Sequence, residues 1–105
     1  MSNIEIKKEI QKAVKHIDNY RIELIIWTGD GTYHKEIPEN EDVIYGCIEV
    51  YNHDDSFGDE IYTGSFGSDE TMTTKDIETL RQEQKKMYNY LKKHFKNITI
   101  DERTV

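Results

Sequence analysis

The chain has one cysteine, one proline and one alanine, and its longest clearly apolar run is Leu24 to Trp27. Each scarcity excludes something. A single cysteine, Cys47, cannot form an internal disulfide and fits a reducing compartment. The apolar run is far short of the roughly 20 residues that cross a bilayer as a helix. The first residues lack the apolar stretch of a signal peptide, so a cytoplasmic protein is expected. Alanine and proline have G+C-rich codons, whereas the abundant Ile, Lys, Asn and Tyr have A+T-rich ones. That bias suits a low-G+C bacterium, or a phage or plasmid living in one.

Strong catalytic and metal motifs are missing too. An EF-hand loop needs carboxylates at positions 1, 3 and 5, Gly at 6 and Glu at 12. Placing Gly58 at position 6 puts His53, Asp55 and Phe57 at 1, 3 and 5, and placing Gly64 there gives Asp59, Ile61 and Thr63. Both registers fail. His16, His34, His53 and His94 show no ligand spacing with one another or with Cys47. Gly29-Asp30-Gly31 lacks the Lys-Ser/Thr ending of a phosphate loop, and Asp30 would repel phosphate. Catalytic carboxylates usually sit isolated in apolar pockets, whereas these acids fall in polar turns. The expectation is therefore no enzyme, no metal and no cofactor.

What the chain does have is a concentrated negative charge. Residues 29–70 hold twelve acids against the single Lys35, a net of −11. Residues 1–28 are +1 and residues 71–105 are +3, which accounts for the overall −7. Such a field attracts basic partners and repels nucleic acid and anionic membranes. Four of the seven tyrosines, Tyr33, Tyr45, Tyr51 and Tyr62, lie inside the acidic block. Tyrosine supplies rigid contact area and is enriched in interfaces. Carboxylates pair with guanidinium, and tyrosine rings accept cations on their faces.

Periodicity divides the 105 residues into one α+β domain, residues 1–105. Ser2 followed by Glu5 matches a capping box, and Ile6, Ile10, Ala13, Val14 and Ile17 follow at helical spacing to about Asn19. The period then drops to two. Tyr20, Ile22, Leu24 and Ile26 share one face, and Arg21, Glu23, Ile25 and Trp27 the other. The Gly29–Gly31 turn predicts a hairpin return over residues 32–37. Val43–Tyr51 reads as the next strand, with Ile44, Ile48 and Val50 opposite Val43, Tyr45, Cys47, Glu49 and Tyr51. A short strand is expected over 59–63. Thr73 or Thr74 can cap a second helix with Asp76 near its positive end. Its stripe is Ile77, Leu80, Met87, Leu91 and Phe95, interrupted by Gln84, and five lysines crowd its second half. Residues 98–100 should form a last strand. The order α-β-β-β-β-α-β implies an antiparallel sheet of four to five strands covered on one face by two helices.

Double-stranded-RNA-binding domains share the order α-β-β-β-α, but their second helix begins with lysines that meet phosphates. Here that start is Thr73-Thr74-Lys75-Asp76-Ile77-Glu78, and the hairpins before it are acidic. The similarity is one of topology, not of function. Ser56-Phe57-Gly58-Asp59-Glu60 also recurs as Ser65-Phe66-Gly67-Ser68-Asp69-Glu70, which reads as two glycine turns, each with a phenylalanine tucked beneath it.

These features point to a small acidic, non-enzymatic binding protein. The expected role is an inhibitor that occupies a basic nucleic-acid-binding surface of a partner protein, as phage anti-restriction and anti-CRISPR proteins do. An immunity protein that neutralises a toxin has the same sequence character. A homo-oligomeric domain whose acidity serves solubility and a small ligand-binding or enzyme domain are the other readings. The expected partner-binding residues are Glu39, Glu41, Asp42, Asp54, Asp55, Asp59, Glu60, Asp69 and Glu70, with Tyr45, Tyr51 and Tyr62 as anchors.

Overall fold

A computed structural model of the protein describes residues 2–14, 21–29, 42–52, 57–64, 66, 72–96 and 98–104. The first helix, α1 (Asn3–Val14), starts as its capping box predicts. The Glu5 N–H donates to Ser2 Oγ at 3.2 Å, and the Ser2 hydroxyl donates to the Glu5 carboxylate. Ile6 and Ile10, one helical turn apart, are fully buried.

Among the described residues five strands follow the expected α+β plan: β1 (Arg21–Gly29), β2 (Val43–Tyr51), β3 (Phe57–Gly64), the two-residue β4 (Met72–Thr73) and β5 (Thr99–Thr104). The sheet order is β3-β2-β1-β5, and β4 pairs with the start of β2. β1 and β2 run antiparallel over nine pairs, from Arg21–Tyr51 to Gly29–Val43. The return strand expected over 32–37 lies outside the described residues, and the antiparallel neighbour of β1 is β2. The other edge of β1 carries β5, and this pairing is parallel. The sheet is thus mixed, which corrects the all-antiparallel expectation. The cause is the crossover through the second helix, which returns the chain to β1 in the same direction.

Before that helix, Thr74–Asp76 form one 3-10 turn. The Asp76 carboxylate accepts the Thr73 N–H at 3.0 Å, so the acid caps the entry. The second helix, α2 (Ile77–His94), buries Leu80, Gln84, Met87 and Leu91. Both helices meet one face of the sheet. Ile22, Leu24 and Ile26 of β1, Ile44 and Ile48 of β2, Ile61 of β3 and Ile100 of β5 form a single core with Ile6, Ile10 and the α2 stripe. Gln84 is the polar member of that stripe. Its side-chain Nε2 donates to the backbone carbonyls of Leu24 (2.8 Å) and Arg103 (3.3 Å), tying α2 to two adjacent strands. Among the described residues, no helix is long and apolar enough to cross a membrane.

Candidate functional site: the helix-free face of the sheet

Strand pairing puts directly opposed residues on one face. The register therefore collects Arg21, Glu23, Ile25 and Trp27 with Tyr51, Glu49, Cys47 and Tyr45 on the face opposite the helices. From the flanking strands, Arg103 pairs with Ile25 and Glu60 with Glu49. The strand parity that predicts a buried helix-facing side thus also assembles a polar, aromatic second side.

This face is held by an ion-pair network. Arg103 lies 3.6 Å from one carboxylate oxygen of Glu23 and 3.7 Å from one of Glu49. Arg21 approaches Glu23 at 3.8 Å, and its guanidinium sits 4.6 Å above the Tyr51 ring. The Tyr51 hydroxyl donates to Glu49. That bond is the main reason the phenol is pushed up to about 12, with desolvation second. Deeper in the face lies Cys47, with no exposed surface. Burial first, then the charge of Glu60, pushes its thiol up to about 12, while a hydrogen bond from Trp27 acts in the opposite direction. The Sγ of Cys47 and carboxylate oxygens of Glu49 and Glu60 all lie within 4.8 Å of one another.

Among the expected partner-binding residues, Glu60, Tyr45 and Tyr51 share this face and are half-buried. Asp42 is exposed just before β2, and its carbonyl accepts the Thr74 N–H. Asp59 and Tyr62 are in β3, paired in register with Val50 and Cys47. Glu39, Glu41, Asp54, Asp55, Asp69 and Glu70 lie outside the described residues, as do His16, His34 and His53. His94 is exposed at the end of α2, its ring 4.5 Å from that of Tyr90.

Sequence reasoning missed Arg103, Glu23 and Glu49 as a unit. Glu49 counts toward the acidic block, yet it is 7% exposed and engaged inside the protein. Tyr51 already carries a cation, Arg21, on its ring. The available signal was parity, since Glu49 and Tyr51 alternate with buried apolar residues. Arg103 carried no such signal, because it lies beyond the expected end of the last strand. Compared with protein-family models, curated proteins and solved structures, the chain gives no match.

Proposed function

We propose that the protein is a small acidic binding protein that blocks a basic, nucleic-acid-handling surface on another protein. The observation that carries this reading is charge segregation. Residues 29–70, which include β2 and β3, carry a net −11, and among the described residues Asp42, Glu49, Asp59 and Glu60 belong to that block. Exposed lysines sit instead on the two helices, Lys8 and Lys12 on α1 and Lys85, Lys86, Lys92 and Lys93 on α2, which pack over the other face. An array of carboxylates can occupy sites built for phosphates, and long-range attraction speeds the encounter. The half-buried Tyr45, Trp27 and Tyr51 offer rigid aromatic area on the face that also carries Glu49 and Glu60. On this reading the protein is no enzyme and acts in the cytoplasm, which is the host's cytoplasm if a phage encodes it.

The test is capture of a partner by tagged protein at low salt and at about 0.5 M salt, where the screening length falls to a few ångströms. A variant with Asp54, Asp55, Asp69 and Glu70 changed to Lys is run beside it. One basic nucleic-acid-handling protein should bind at low salt, release at high salt, escape the variant and lose nucleic-acid binding in the complex. Equal recovery by both chains would overturn the reading and leave the charge as a solubility device.

A further inference from the structure

We propose that two copies of this chain pair through the outer edge of β5, antiparallel about a two-fold axis at Glu102, so that Asp101 of each copy faces Arg103 of the other. Among the described residues β5 pairs with β1 alone. The opposite side of an edge strand offers a row of main-chain donors and acceptors to another chain. The Glu102 side chain is only 27% exposed, yet the residue as a whole is exposed, so its open surface is main chain.

The two edges of the sheet are built differently. Pairing of β3 with β2 is irregular between Gly46 and Cys47 and again between Val50 and Tyr51, and β3 carries Asp59 and Glu60. Irregular pairing and like charge both blunt an edge. β5 instead runs its six residues against β1 without a break. It also belongs to residues 71–105, which are +3 in a chain of −7, so two copies meet there with the least repulsion.

The charges then select a register. Two registers of a two-fold antiparallel pair overlap most of the strand. The one centred on Asp101 sets Asp101 against itself and forms no pair of opposite charge. The one centred on Glu102 overlaps residues 100–104 of both strands and sets Asp101 against Arg103 twice. Opposite charges facing each other across strands are stabilising. The two Glu102 side chains also meet, but each already holds Lys85 at 3.0 Å, which balances it. Asp101 needs such a pairing. Its register neighbour on β1 is Glu23, a like charge, and among the described residues no basic group lies within ion-pair distance of it. Arg103 is 46% exposed and stays 3.6 Å from Glu23 and 3.7 Å from Glu49, so it retains donors for Asp101 of the second copy. The joined sheet runs β3-β2-β1-β5-β5-β1-β2-β3, with β3 and its acids at both far ends. A pairing this short is small beside the roughly 800 Å² per partner of stable interfaces, so the dimer depends on concentration.

The test is sedimentation velocity from about 1 μM to about 1 mM protein, a range that covers weak dissociation constants. The protein should pass from monomer to dimer and grow no further. Asp101→Arg and Arg103→Asp, each checked for folding by circular dichroism, should weaken the dimer at least tenfold alone. An equimolar mixture of the two variants should restore it, because every pair across the seam is then of opposite charge. Amide hydrogen exchange of the unaltered protein gives a second reading. Raising its concentration should slow exchange in residues 99–104 and leave β3 unchanged. A monomer throughout the range would overturn the proposal and leave the edge to a strand of another protein, and growth beyond a dimer would overturn it in favour of β5 joining β3. Exchange in β5 that ignores concentration would overturn it even where a variant fails to fold. The charge-reversed variant used for partner capture leaves β5 unaltered, so either idea can fail without the other.

Discussion

The ring of Phe66 fills the space where a side chain of residue 46 would begin. A Cβ on Gly46 would stand 2.8 Å from three of its atoms. Phe66 holds this position with a positive φ of 51°, which is costly for a residue with a Cβ, and it is 3% exposed. The glycine is thus needed for close approach. Gly46→Ala should destabilise the protein by about 1–3 kcal/mol through overpacking. Phe66→Ala should cost about 3–5 kcal/mol. In the double variant the alanine has room, so the two losses should fall short of additivity by at least about 0.5 kcal/mol. Urea unfolding of the four chains measures this, and strict additivity would show that the ring does not set the glycine.

Gln84 should behave as a structural residue, although its type is that of a surface helix position. Its amide bridges α2 to carbonyls of β1 and β5. Gln84→Leu keeps the volume and removes the donor, and should cost about 1–3 kcal/mol. Amide hydrogen exchange should accelerate first in β5, the edge strand that Gln84 helps to anchor. An unchanged unfolding midpoint would show that the carbonyls are satisfied without it.

The fold was largely legible because most elements repeat a clean pattern. The Ser2–Glu5 cap, the α2 stripe and the two faces of β1 and β2 stand as the periodicity predicts. Phe66 is tucked into the core as one copy of the repeated Ser-Phe-Gly turn predicts, whereas Phe57 and Gly58 of the other copy begin β3 and do not form a turn. Illegible were the places where tertiary contacts override local pattern. β5 extends through Asp101, Glu102 and Arg103, charged residues with low strand preference, because hydrogen bonding to β1 holds them. Its parallel direction depends on the path of α2 over the sheet, which no local signal encodes. At the candidate site, parity shows that Cys47, Glu49 and Tyr51 share a face. The approach of Glu60 and Arg103 depends on strand register, which sequence spacing does not carry.

The hydrogen bond from Tyr51 to Glu49 predicts a fold that weakens in base. The phenol stands at about 12 against an ordinary 10.0. A raised value means that the folded state holds the proton more tightly, so the contribution is complete below pH 10 and is lost as pH rises through about 12. Tyr51→Phe removes the donor to a nearly buried carboxylate and should cost about 1–3 kcal/mol at neutral pH. The stability gap between the two chains should close above pH 10. A gap independent of pH would mean that the bond is not the source.

Cys47 should be protected from thiol reagents by burial and by chemistry together. It has no exposed surface, and its thiol is held at about 12 against an ordinary 9.0, first by desolvation and then by Glu60. Only the thiolate attacks, so the folded chain near pH 8 presents almost none. Labelling by an aromatic disulfide reagent should therefore be slow without denaturant. Its rate should rise with urea in step with global unfolding, because the β2 segment around Cys47 is paired on both sides, with β1 and with β3. Labelling that outruns unfolding would instead reveal a local opening of β3 away from β2. Glu60→Gln separates the two protections. It removes the nearby anion and leaves the burial, so labelling of the folded state should stay slow if inaccessibility dominates and quicken if the charge does.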